Sequence, residues 1–236
     1  MIPYPGTSGP PLYSYGPVID NDLIPDYTYD LLDQGKVIRV PLVIGADAND
    51  GTIFAPRQAN TLQDFDVFMT NQFPSLTKDE LVKLHGLYSP AEQFPKSGKY
   101  WRAAADAYGE IRYTCPSLRL STALVAVRSH SWQYLWNSTD DANRKNGLGA
   151  THISELVSIW WNERGSAPVI QSYWISFIRS LDPNNRAIGK DVDWTVYGSP
   201  RRLVFQTSDE ANMQNVPTAQ LQRCEYLWSI GVGLKQ

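Results

Sequence analysis

A chain of 236 residues with 42% hydrophobic and 19% charged residues has the composition of a folded globular protein, which argues against extended disorder. A net charge of −3 without any Lys/Arg cluster argues against nucleic acid as a partner. No apolar run approaches the roughly 18 residues of a membrane span, and residues 1–6 have neither the basic residues nor the apolar stretch of a signal peptide.

Five prolines between positions 3 and 17 predict an extended, irregular lead-in over residues 1–16. A turn at Asp20-Asn21-Asp22 and a short helix over 28–34 come next. The run 37–45 (VIRVPLVIG) reads as a buried strand, with Pro41 restricting its firm part to 42–44 and their neighbours. Residues 46–51 form a polar turn at that strand's C-terminal end, where chemistry collects in open α/β sheets. Helices are predicted over 61–72 and 77–84, the second opened by the capping-box pattern Thr77…Glu80. A Pro-containing loop spans 88–97. Two helices over 100–113 and 117–128 are separated by Cys115-Pro116, the second with Leu120, Ala123, Leu124 and Val127 at helical spacing.

Residues 131–136 alternate aromatic and polar side chains for most of their length, as a strand does, and a charged loop over 140–146 leads to His152. The helix after His152 is expected to turn Ile153, Leu156, Val157 and Trp160 to one side. A stronger amphipathic helix covers 168–181, with Val169, Ile170, Tyr173, Trp174, Phe177, Ile178 and Leu181 on its apolar face. Asp182-Pro183-Asn184-Asn185 stops it. A short strand at 203–205 and a final helix at 221–228, holding Cys224, complete the chain. Helices interleaved with a few apolar strands indicate the α/β class.

Three histidines are available to chemistry. His85 lies on a helical pattern and His130 sits between two serines ahead of a strand, so both read as structural or surface residues. His152 follows a strand through a Gly-containing loop and precedes a helix, the place where α/β-hydrolases carry their general base. The acid partner belongs earlier, on a turn at a strand end, and both Asp47 and Asp50 qualify. The blander account is a turn rich in Asx residues, with Asp50-Gly51 a common turn pair. A nucleophile elbow requires Gly-x-Ser-x-Gly, and no such pentapeptide occurs in 1–236. Gly6-Thr7-Ser8-Gly9 and Gly165-Ser166 do not fit it, and no His-Gly-Gly run offers an oxyanion hole. Cys115 and Cys224 match no metal pattern and are either two buried thiols or one long-range disulfide. Asn137-Ser138-Thr139 is the one glycosylation sequon. No motif calls for a metal or a cofactor.

Taken in order, several segments resemble the C-terminal half of type-B carboxylesterases, the group that includes cholinesterases and fungal lipases. They are Tyr15-Gly16-Pro17-Val18-Ile19-Asp20, Gln34-Gly35-Lys36, Val40-Pro41-Leu42-Val43-Ile44-Gly45 running to Asp50-Gly51-Thr52-Ile53-Phe54, and Cys115-Pro116. Gly149-Ala150-Thr151-His152-Ile153-Ser154-Glu155-Leu156 resembles the family's histidine motif. Trp174, Phe177 and Asp182-Pro183-Asn184 resemble its Trp-x-x-Phe helix and stop, and Cys224-Glu225-Tyr226-Leu227-Trp228 its late Cys-aromatic segment.

The resemblance implies the C-terminal portion of an α/β-hydrolase fold over 1–236, with few strands, many helices and an incomplete central sheet. It makes His152 the triad base and Asp50 the triad acid, and it implies hydrolysis of a small-molecule ester through an acyl-serine intermediate. It also pairs Cys115 with Cys224, a closure contributing on the order of 4–5 kcal/mol in the chain-entropy model, and points to a secreted, extracellular protein. Two departures stand out. Asp50 occupies a position where the family usually has the longer Glu. The half that carries the serine elbow and oxyanion hole is absent, so the chain is expected to be a C-terminal fragment, inactive alone. The alternative is a non-catalytic binding or interaction module that kept half of the fold; complementation by a separately encoded N-terminal half as partner is a third, lesser alternative.

Overall fold

The computed structural model describes residues 8–9, 11–13, 16–161, 167–185, 192–207 and 210–235. Most of the Pro-rich lead-in and the Gly165-Ser166 pair lie outside the described residues. Helix α1 (Thr28–Asp33) packs Tyr29 and Leu32 on Ala123 and leads into strand β1 (Leu42–Asp47). Residues 37–41 stay outside the sheet. The predicted strand therefore begins only after Pro41, which has no N–H to give a ladder.

Helices α2 (Leu62–Gln72) and α3 (Lys78–Tyr88) each open on a complete capping box, Thr61 with Asp64 and Thr77 with Glu80. In each, the threonine hydroxyl and the acid three residues on satisfy backbone N–H groups that the helix leaves free. The expected break at Cys115-Pro116 is replaced by one continuous rod. Helix α4 (Trp101–Gly109) passes through a π-helical turn (Glu110–Thr114) into α5 (Cys115–Ala126). Cys115 N–H donates to Glu110 O, five residues back. The wider turn lets Pro116 enter at the first positions of α5, where its missing N–H does no harm.

Strand β2 (Ser131–Asn137) is followed by α6 (Asp141–Lys145), a short helix where the sequence suggested only a charged loop. The Asp140 side chain caps it by accepting from Asn143 N–H. After α7 (Glu155–Trp160) and α8 (Ala167–Ser180) come β3 (Arg201–Gln206), β4 (Ala211–Asn215) and α9 (Thr218–Ile230). The sheet order is β1-β2-β3-β4, with β1–β2 and β2–β3 parallel and β3–β4 antiparallel. Strand β4 reads Ala-Asn-Met-Gln-Asn, whose alternation rests on two apolar residues, Ala211 and Met213, too few to announce a strand.

The period of two along β2 decides what each face meets. Trp132, Tyr134 and Trp136 join Ile170 and Tyr173 of α8, together with Trp194, Leu203 and Phe205. Gln133 points the other way, and its amide donates to Ser117 O and Ser121 Oγ of α5 at 2.7 and 2.8 Å. Beyond α5 a larger core joins Phe65, Met69, Leu84, Trp101, Tyr108, Ile111 and Leu118 with Cys224 and Leu227 of α9. Cys115 and Cys224 are bonded there, Cα to Cα 5.1 Å, clipping the start of α5 to α9.

Two expected apolar faces need correction. Ile153 and Trp160 are more than half exposed, while α7 buries Glu155, Ser158 and Ile159. The helix starts only at Glu155, so Ile153 belongs to the turn before it. On α8 Ile170 and Tyr173 are buried, but Ile178, and Leu181 just past the helix end, face out.

Candidate active site

Parallel neighbours β1 and β2 end side by side, so the loops that leave them meet. The first loop runs from Asp47 into a 3-10 turn (Asp50–Ile53). The second, after β2 and α6, is the segment 148–154. Hydrogen bonds join the two. Asn49 N–H donates to Ala150 O at 3.0 Å, and Ala150 N–H donates back to Asn49 Oδ1 at 3.1 Å. The Thr52 hydroxyl donates to Leu148 O at 2.8 Å, and the Thr139 hydroxyl, two residues past the end of β2, donates to Gly149 O at 2.7 Å. Gly149 sits at φ +63°, and a Cβ there would collide with the Asn49 side chain, so both conformation and closeness require glycine. Gly51 is constrained differently, because a Cβ on it would strike the backbone carbonyl of Ala105 in α4.

This clasp sets His152 Nδ1 2.6 Å from Asp50 Oδ1. Asp50 is buried, whereas the His152 side chain keeps 26% of its surface exposed. The second Asp50 oxygen accepts the Asp47 N–H at 3.0 Å. Burial raises the Asp50 carboxyl above its ordinary range, and the hydrogen bond and charge of His152 oppose that shift. An ionised Asp50 only accepts, which puts the imidazole proton on Nδ1 and leaves a lone pair on Nε2. Among the described residues Nε2 has no hydrogen-bond partner. The aspartate side chain, one methylene shorter than glutamate, reaches the imidazole in full.

Aromatic rings fix the other faces of the imidazole. Tyr113 lies against it with centroids 4.2 Å apart and planes 30° apart, and Phe54 is 5.4 Å away. Tyr113 belongs to the π-helical turn, a feature that often marks functional sites. No periodicity in the sequence singles it out.

Asp47, the other acid considered for the pair, does not touch the imidazole. Its carboxyl accepts Ile153 N–H on Oδ2 at 2.9 Å and the Ser154 hydroxyl on Oδ1 at 3.0 Å. It also bonds Glu155, whose Oε1 accepts from Tyr134 OH at 3.3 Å. Burial first, then the neighbouring Glu155 and Asp50, pushes the Asp47 carboxyl far above its ordinary range, so it holds a proton near neutrality. Asp47, Asp50 and His152 could each offer one ligand atom within 4.8 Å of the others. Those carboxylate oxygens already accept hydrogen bonds and Nδ1 is turned onto Asp50, which is the geometry of an acid–base cluster.

The remaining candidates lie apart from this pair. His85 bonds Asp66 on the neighbouring α2, Nε2 to Oδ1 2.6 Å, and His130 is exposed beside Trp132. Asn137 is half-buried at the end of β2, its amide donating to Gln206 Oε1 at 3.2 Å. It lines a polar cavity of about 570 Å³ with Asn49, Arg102 and Arg144. Asn49 and Thr52, which hold the two loops together, look in the sequence like ordinary turn residues. The one signal for Asn49 is its place directly before Asp50.

A sheet whose parallel strands end in paired acid and histidine loops, with helices on both faces, defines an α/β-hydrolase fold. The chain belongs to the Carboxylesterase family, whose sequence profile matches residues 6–226. The crystal structure of Aspergillus niger EstA superposes with a TM-score of 0.92 at 30% identity, covering 99% of this chain and 48% of that one. "Secreted lipase 4" of Gibberella zeae is 27% identical over 75% of this chain and 34% of its own length. "Lipase 1" of Geotrichum candidum is 25% identical over 84% of this chain and 36% of its own. The chain thus spans about a third of the length of these curated relatives.

Proposed function

We propose that this chain carries the acid–base half of a serine carboxylic ester hydrolase site, with His152 as general base, Asp50 as the acid that orients it, and a small-molecule ester as substrate. The observation that carries this is the 2.6 Å contact between His152 Nδ1 and Asp50 Oδ1, made from two loops that are hydrogen-bonded to each other. In the first half of the cycle, Nε2 takes the proton of an attacking serine hydroxyl as that oxygen bonds the ester carbon. Asp50 stabilises the imidazolium that results. The proton then passes to the leaving alkoxide, and an acyl-serine remains. Water, deprotonated by the same Nε2, then bonds the acyl carbon; the acyl–serine bond breaks, the acid leaves, and Nε2 returns the proton to the serine oxygen.

No Gly-x-Ser-x-Gly occurs in 1–236, so the nucleophile of this scheme reaches His152 from outside these residues. Strand β1 pairs on one side only among the described residues, with Ile38, Val40 and Ile53 exposed near it. An unpaired strand edge beside exposed apolar side chains is a surface that a complementing half of the fold would cover. The disulfide, together with relatives named as secreted lipases, supports an oxidising, extracellular setting. On this basis residues 1–236 alone are expected to show no saturable turnover of a short-chain nitrophenyl ester. Saturable turnover abolished by His152→Ala would overturn the assignment of an inactive half-site.

A further inference from the structure

Ile153, directly after the candidate base, has φ +62°. A β-branched residue in this left-handed region is strained, and such strain persists only where the surroundings over-determine it. Packing does not hold it, because Ile153 is 54% exposed. Hydrogen bonds do. Its N–H donates to Asp47 Oδ2 at 2.9 Å, its carbonyl accepts Leu156 N–H at 3.2 Å, and the next side chain, Ser154, donates to Asp47 Oδ1 at 3.0 Å. Asp47 is tied to the acid as well, through its own N–H on Asp50 Oδ2 at 3.0 Å. One buried residue thus grips the main chain just past His152 with its side chain and the carboxyl of Asp50 with its backbone.

We propose that Asp47 is a positioning residue of this site: its carboxyl locks the strained turn at Ile153 and thereby holds the His152 imidazole on Asp50. This deepens the assignment of His152 and Asp50 as base and acid and rests on it for its catalytic meaning. The buried, proton-bearing carboxyl faces Glu155 and Asp50, with Tyr134 and His152 next beyond them. What the clamp requires of Asp47 is an acceptor for Ile153 N–H, and the side-chain carbonyl of an asparagine supplies one.

The test uses residues 1–236 and the far-downfield NMR resonance of the His152 Nδ1 proton, with the thermal midpoint read alongside. Asp47→Ala is expected to lose that resonance or speed its exchange with water about tenfold or more, as loss of a buried hydrogen bond implies. Asp47→Asn is expected to keep it. Ile153→Gly adopts the same turn without strain, so the double variant Asp47→Ala/Ile153→Gly is expected to recover the resonance. If Asp47→Ala fails to fold, the double variant decides alone: a folded protein with the resonance restored supports the clamp. The clamp is overturned if Asp47→Ala lowers the thermal midpoint but leaves the exchange rate unchanged, if Asp47→Asn behaves like Asp47→Ala, or if glycine at 153 rescues nothing. None of these readouts is turnover, so an esterase assignment that fails elsewhere leaves this test intact.

Discussion

Replacing Asp50 by Asn changes almost no volume and tests the acid role directly. Two N–H groups converge on the Asp50 carboxylate, His152 Nδ1–H at 2.6 Å and Asp47 N–H at 3.0 Å. An asparagine offers a single oxygen, so one of the two donors must lose its acceptor or meet an NH₂ group. The Asp47 N–H is fixed at the end of β1, so the oxygen stays with it and the amide NH₂ turns to the imidazole. Nδ1 then has to accept, the proton moves to Nε2, and the lone pair that would take a serine proton is gone. The same substitution in a serine protease triad lowers kcat about ten-thousand-fold, equivalent to about 5 kcal/mol of barrier. Nitrogen NMR of the imidazole in residues 1–236 reads the tautomer without needing turnover. The expected outcome is a folded Asp50→Asn protein with the proton on Nε2. A proton still on Nδ1 would refute the assignment of Asp50 as the residue that sets the tautomer.

Three further outcomes follow from the same geometry. Reduction of Cys115–Cys224, or alanine at both, opens a closure 109 residues long and is expected to cost about 4–5 kcal/mol. Thermal scans with and without reductant should differ by about 10 °C or more, and identical scans would show that the bond adds nothing. Gly149→Ala, at φ +63° against Asn49, is expected to destabilise by about 1–3 kcal/mol through strain and displacement of the clasp; urea unfolding with an unchanged midpoint would contradict this. The Asp47 carboxyl is pushed up to about 10 in the folded protein, above its ordinary 3.8. Its contribution to stability is therefore full below about pH 4 and is lost as pH rises towards 10. The thermal midpoint should fall from about pH 5 to about pH 9, and Asp47→Asn should flatten that slope; an equal slope in both proteins would show that another group carries it.

The sequence announced those parts of the fold whose local pattern agrees with their burial. Trp132 and Trp136 alternate with Gln133 and Leu135 because the two faces of β2 meet different layers, and that period is visible in the letters. Strand β4 stays hidden because only Ala211 and Met213 of its residues are apolar and none is fully buried. The helix after His152 was misjudged because its inward face next to the site is a buried carboxylate, Glu155, rather than a hydrophobic stripe. His152 and Asp50 could be singled out by their places after strands and by the order of motifs around them. Turn position alone leaves Asp47 and Asp50 equivalent and only the order of motifs points to Asp50; that Asp47 instead bonds the main chain past His152 requires the second loop in space. Tyr113 depends on a π turn that accommodates Pro116, and a proline in the letters suggests a break instead.

If His152, oriented by Asp50, is the general base proposed above and its nucleophile comes from outside residues 1–236, turnover needs both halves of the site. The most direct measurement joins these residues to the N-terminal half of a related esterase and compares nitrophenyl-ester turnover of this chimera, its His152→Ala variant and residues 1–236 alone. Turnover is expected only in the chimera, falling by about ten-thousand-fold or more when His152 is replaced. Turnover that survives His152→Ala, or that residues 1–236 perform unaided through His152, would contradict the proposal.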